Sequence, residues 1–162
     1  MKKLLALLFV VIIACFTLAC CTPAPENTTP PNGDNNTSHD EGITEMYLTI
    51  NGNKIEVTLA DNNSVDALVE ILKQGDITYT ASEYGGWEMV GSLGHTLPKS
   101  DTYITAEPGD VMLYLGSNIV LFYGNNSYSY TRLGKINGYS VSELKTLLCA
   151  GSSNVQIKIS LE

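Results

Sequence analysis

At 162 residues the chain is long enough for one domain with a sizeable core and too short for two comfortable ones. Its formal net charge of −8 repels phosphate backbones, which argues against nucleic acid or an anionic lipid surface as the direct partner. An acidic surface is also ordinary for a secreted domain, so the charge by itself points to no ligand.

The first 19 residues read as a targeting segment. Lys2 and Lys3 form a short positive region, Leu4 to Ile13 is an unbroken apolar run, and small residues approach a cysteine in FTLACC. Continued to Cys20, the apolar stretch reaches about 17 residues, the low edge of what spans a bilayer, so a membrane-spanning anchor is the competing reading. Leu18-Ala19-Cys20 resembles the lipobox of bacterial lipoproteins. That resemblance implies a Cys20 that is lipidated and becomes the mature N-terminus, and hence an extracytoplasmic protein anchored to a bacterial membrane. Stable anchorage needs more than one acyl chain. Cys21 would require cleavage after a cysteine, and Cys15 leaves too short an apolar region. With Cys15 removed and Cys20 acylated, Cys21 and Cys149 remain, too few for a disulfide framework although they could bridge each other.

Residues 20–44, beginning with Cys20-Cys21 and continuing TPAPENTTPPNGDNNTSHDEGIT, are rich in proline, asparagine and threonine. Nearly devoid of apolar residues, they cannot bury enough surface to order themselves, and a disordered tether is expected. His39, beside Asp40 and Glu41, reads as part of that solvated linker. The folded domain is expected over 45–162.

Met46, Leu48 and Ile50 alternate with polar residues, Asn51-Gly52-Asn53 supplies a turn, and Ile55, Val57 and Leu59 alternate again. That pattern predicts a hairpin. Asn63 or Ser64 can cap a helix to about Gln74, with Val65, Leu68, Val69 and Leu72 on one face and Gly75 as its stop. Then come ITYTA as a strand, the glycine-rich stretch Glu83 to Pro98, and the β-like segments DTYITA, VMLYL, IVLFYG and YSYTRLGKI, separated by turns. Ser140 and Glu143 have the spacing of a capping box opening a second helix that ends at Gly151, and Cys149 within it reads as a small buried hydrophobe. NVQIKISLE closes the chain as a strand. About eight short strands must hide their edges, and a closed barrel stoppered by the two helices does so most completely.

That order of elements, with EYGGWEMVGSLGHTLP, PGDVMLYLGSNIVLFYG and SYTRLGKI, is similar to the cyclophilin-like fold family of small bacterial secreted proteins and lipoproteins. The similarity covers about Met46 to Glu162. It implies a mainly β, closed cyclophilin-like barrel with two short capping helices. It raises prolyl isomerase activity as one reading and, because such domains sometimes accompany flavodoxin domains, a flavodoxin-type redox partner as another. Cyclophilins that catalyse isomerisation carry an arginine on the strand after the first helix, in the pattern FHR…GF…Q. Here that strand reads ITYTASEYGG, without arginine, so no catalytic residue is assigned. Glu83 to Pro98 then reads as an excursion replacing the isomerase's catalytic segment.

The remaining candidates describe a groove holding a peptide or small molecule: Trp87, Glu88, Tyr123, Tyr130 and Arg132. Arg132 is the only arginine; strand alternation puts it on one face with Tyr128 and Tyr130, where it could meet a carboxylate or peptide carbonyl. Alternatively it forms a structural ion pair, with Glu88 as one partner. Trp87 either floors the groove or packs over a barrel end. Glu88 could act as an acid only if burial raised its pKa. His95 reads as a surface histidine, with no partner at metal-ligand spacing. Asp61-Asn62-Asn63 lacks the rest of a calcium loop and reads as a helix cap. Neither a metal nor a cofactor is expected, and a monomer is.

Overall fold

In a computed structural model, which describes residues 42–162, the chain enters through the expected hairpin. The targeting segment, Cys20, a Cys21–Cys149 bridge and nearly all of the tether lie outside the described residues. Strands β1 (Glu45–Ile50) and β2 (Asn53–Leu59) pair antiparallel, with Ile50 opposite Asn53. Asn51 and Gly52 take φ of 49° and 81°, the two positive angles that a two-residue turn between twisted strands requires.

Helix α1 (Asn63–Leu72) is capped by Asn62, one residue earlier than expected. Its Oδ1 accepts from the amides of Ser64 and Val65 at 3.0 and 3.2 Å. Its Nδ2 donates to the carbonyl of Arg132 at 2.8 Å, so one amide side chain opens the helix and ties it to the sheet. Seven strands and a second helix follow: β3 (Ile77–Tyr84), β4 (Glu88–Ser92), β5 (Thr102–Ala106), β6 (Asp110–Tyr114), β7 (Asn118–Phe122), β8 (Asn126–Lys135), α2 (Val141–Leu147) and β9 (Val155–Ser160). The capping box at α2 is present in both directions. Glu143 N donates to Ser140 Oγ at 3.3 Å and Ser140 N to Glu143 Oε2 at 2.7 Å, a device worth about 1 kcal/mol to a helix this short. The helix stops at Leu147, leaving Cys149 beyond its end, half-buried and with φ of 57°.

The strands run in the order β2-β1-β9-β3-β4-β7-β6-β8, and bonds from β8 back to β2 complete the ring. Every pairing is antiparallel. A mainly β, closed barrel with two helices is therefore the architecture of the described residues. β5 stands outside the ring and pairs only with the first half of β8, Thr102 opposite Tyr130 through Ala106 opposite Asn126. The seam between β2 and β8 depends on Gly134, where any Cβ would lie 2.5 Å from the Thr58 carbonyl oxygen.

The described residues hold nine strands, one more than expected, and the additional one is β4. The stretch Glu83 to Pro98 is thus an excursion only after Ser92; before that it is the end of β3, a tight turn and a ring strand.

Two apolar clusters result. The larger fills the ring, with Met46, Leu48, Met89, Leu113, Leu121 and Ile157 buried beside Val65, Leu68 and Leu72 of α1 and Leu144 of α2. The smaller lies on the outer face, where Ala106, Met112, Val120, Phe122 and Tyr130 pack with Trp87, Val90, Ile104 and Tyr114. Strands β6 and β7 are covered on both faces, which is why VMLYL and IVLFYG are continuous apolar runs and not alternations.

Candidate functional site

The outer cluster carries the site, because strand parity delivers its side chains there. On β4, Met89 points into the ring while Glu88 and Val90 point out; Glu88 lies opposite Tyr84 of β3 on one side and Phe122 of β7 on the other. Tyr114 from β6, with Tyr128 and Tyr130 from β8, reaches the same face. Between these strands lies a cavity of about 510 Å³ lined by Tyr84, Trp87, Glu88, Val90, Tyr114, Asn126, Tyr128 and Tyr130, a size suited to a small molecule or one side chain.

The rings meet edge to face, as their quadrupoles favour. Tyr114 lies 5.7 Å from Tyr128 and 6.0 Å from Tyr130 between centroids, and Phe122 supports Tyr130 at 5.5 Å. Asn126 Nδ2 donates to the Tyr130 hydroxyl at 3.0 Å, fixing that phenol from the opening turn of β8. Tyr84 and Tyr128 form the exposed rim, whereas Glu88 is only 5% exposed and sits at the floor.

Trp87 closes the turn between β3 and β4. Its indole lies flat against Gly85, where a Cβ would come within 2.3 Å of the ring; with φ of +68° as well, that position admits glycine alone. The Trp87 carbonyl accepts from the amides of Tyr123 and Gly124 at 2.9 and 3.0 Å, locking the turn to the end of β7. Trp87 therefore forms part of the pocket wall as well as packing over the turn.

Two buried carboxylates share this outer face, and the fold treats them oppositely. Asp110, 2% exposed, accepts from Arg132 Nη1 at 2.6 Å, Lys135 Nζ at 2.9 Å and the Glu107 amide at 2.9 Å. Burial alone would raise its pKa, but the Glu107 amide, Lys135 and Arg132 together outweigh burial and hold it below the usual range. Glu88 has no cation beside it among the described residues. Burial pushes its carboxyl up to about 7, opposed only in part by the nearby Asn126 amide and Trp87 indole. Neither Glu88 Oε2 nor Trp87 Nε1 completes a hydrogen bond with another protein atom.

Of the five groove candidates, the pocket thus gathers Trp87, Glu88 and Tyr130. Tyr123 and Arg132 do not line it. Tyr123 follows Phe122 by one residue, so parity sends it into the ring, where burial and the Glu83 carboxylate push its phenol up to about 12. Arg132 does keep the outer parity of Tyr130, but its ion pair is with Asp110 and not Glu88. Tyr128, which strand alternation places on the face of Tyr130, joins them, and Tyr84, Val90, Tyr114 and Asn126 complete the lining without having been singled out in the sequence. A usable signal existed for Tyr114, since an aromatic within a two-faced apolar run must pack on one side or the other. His95 is an exposed loop residue. No three metal-binding side chains cluster among the described residues.

Comparison with known proteins agrees with the architecture. The family model described as "Cyclophilin-like family" matches residues 48–160. Among solved structures, the chain is similar to the hypothetical protein AF2241 from Archaeoglobus fulgidus, determined in solution. The TM-score is 0.55 and the identity 16%, over 74% of this chain and 95% of that one; at this identity the likeness concerns the fold alone. None of the curated proteins matches.

Proposed function

Since the chain belongs to the Cyclophilin-like family, we propose that it is a binding module whose outer-face pocket takes a small molecule or one side chain of a peptide. The observation that carries this reading is Glu88: a carboxyl 5% exposed, with an oxygen that no protein group satisfies, at the floor of an aromatic cavity. A buried polar group without a partner destabilises a fold, so its persistence in a concave, solvent-reached site points to use. Against isomerase chemistry stands Arg132. It is the chain's single arginine and is committed to Asp110, so no guanidinium lines the pocket to meet a twisting proline amide. Fold alone does not supply that activity.

The test has two parts, a protease-coupled proline isomerisation assay and titration of Trp87 emission with small neutral, anionic and cationic compounds. A flat isomerisation trace with a saturable emission change is expected. Turnover that disappears in Arg132→Ala would overturn the binding-module reading in favour of an isomerase.

The same proposal places the module outside a bacterial membrane, held by acyl groups on Cys20 and spaced from the surface by residues 20–44. The support is the Leu18-Ala19-Cys20 word after an apolar leader. Mass spectrometry of the membrane-fraction protein is expected to find an acylated N-terminal Cys20; an unmodified terminus, or one that retains Met1, would remove the anchor.

A further inference from the structure

We propose that the occupant of this pocket is an organic cation, an alkylammonium group carried by a small amine or by a lysine side chain. This inference rests on the pocket reading above and adds the charge of the ligand to it.

The argument begins with the contrast between the two buried carboxylates. A charge removed from water must be paired, or it gives up its ionised form. Asp110 is paired twice, by Arg132 and Lys135. Glu88, equally enclosed, faces no cation among the pocket's lining residues. The protein therefore supplies one half of an ion pair at Glu88 and leaves the other half to come from outside.

The walls favour the same occupant. Tyr84, Trp87, Tyr114, Tyr128 and Tyr130 surround the space, and π faces attract ammonium groups most strongly where water is excluded. An aromatic enclosure with an acid beneath it is complementary to a cation whose charge is spread over methyl or methylene groups. An anion would meet both the floor carboxylate and a chain of net charge −8, and is disfavoured on both counts.

Linkage gives the inference a second signature. The ionisable groups facing Glu88 are phenols: Tyr84 from β3, Tyr114 from β6, Tyr128 and Tyr130 from β8, with Tyr123 behind at the end of β7. Burial and the Glu88 charge push Tyr130 up to about 12. Glu83 of β3 meets the Tyr123 phenol on the ring side, and Arg132, Lys135 and Asp110 are engaged with one another outside the lining. Glu88 is thus the carboxylate that governs the pocket, and its folded value of about 7 sets the window. A cation binds the ionised form, so affinity is full above pH 7 and falls about tenfold per pH unit below it.

The chain's single tryptophan lies in the pocket wall, so its emission reports occupancy directly. The experiment compares choline with 3,3-dimethylbutan-1-ol, which has the same shape without the charge, on the full chain. Saturable quenching by choline, at least about tenfold tighter than by the alcohol, supports the inference. So does loss of that preference in Glu88→Gln, whose neutral amide preserves shape. Equal binding of both compounds leaves the pocket reading standing and overturns the cation claim; saturation by neither overturns both. A choline affinity that stays flat from pH 5 to 8 also overturns the claim, even if Glu88→Gln folds poorly. n-Butylammonium and a glycine-flanked single-lysine peptide then separate the sources. Equal affinity indicates a free amine; tighter binding of the peptide indicates a lysine side chain steadied by the Tyr84 and Tyr128 rim.

Discussion

Gly134→Ala is expected to destabilise the domain by about 3 kcal/mol. The added methyl would lie 2.5 Å from the Thr58 carbonyl oxygen and 2.7 Å from Val57 Cγ1, and the nearer neighbour is backbone, which cannot rotate away. Relief requires β8 to move off β2. Only Thr58 opposite Lys135 and Leu59 opposite Gly134 register across that seam, supported by Ala60 N donating to the Leu133 carbonyl at 2.9 Å. A displacement of a few tenths of an ångström over so short a ladder costs hydrogen bonds as well as packing, which puts the loss at the top of the usual overpacking range. Urea unfolding measures the loss, and amide exchange at Ala60, which donates to Leu133 across the seam, locates it against Leu59, which donates to Thr44. A variant within about 0.5 kcal/mol of the parent would mean that the ring does not depend on close approach at this point.

Glu88→Gln is expected to act in the opposite direction and only at the alkaline end. The folded protein holds the Glu88 proton up to about pH 7, whereas an unfolded glutamate releases it near pH 4.3. Between those values the native state binds more protons than the unfolded one, so native stability falls as pH rises and levels off above 7. Water reaching the pocket mouth screens part of the effect, leaving about 2 kcal/mol. The amide variant has no proton to lose. It should match the parent near pH 4.5 and exceed it by about 2 kcal/mol at pH 8, read from chemical denaturation at the two pH values. Identical curves at both would show that Glu88 is solvated in the folded protein. A side chain whose removal stabilises the fold is one retained for another purpose, which is the link between this measurement and the ligand titrations.

Much of this architecture was legible because local chemistry and tertiary burial agree. Asn51-Gly52 between two alternating runs forms the turn it predicts, Ser140 and Glu143 form their reciprocal cap, and the last strand alternates as its sequence does. β4 was hidden for a physical reason. Met89 packs inside the ring while Glu88 and Val90 serve the outer face, so the period-two signal of a half-buried strand never develops, and the surrounding glycines imitate a loop. That miss mattered, since β4 supplies the floor of the pocket. The partner of Arg132 was unreadable for a different reason. Which acid it meets depends on the β6–β8 register and its irregularity between Val111 and Met112, which brings Lys135 opposite Asp110 and Arg132 opposite Met112. No spacing in the sequence encodes such a register. The exclusion of Tyr123 was available in principle, because Phe122 and Tyr123 are consecutive and cannot both face outward from one strand.

The position of β5 has a consequence for association. Each of the eight ring strands has a neighbour on both sides, although β2 meets β8 only at Thr58 and Leu59, whereas β5 pairs on one side only, with β8. Thr102–Ala106 is therefore a strand along whose whole free edge a foreign extended segment would find unpaired amides and carbonyls. With Tyr103 76% exposed upon it, the strand is β-prone yet limited to five residues, a brevity that restrains end-on growth of sheets from copy to copy.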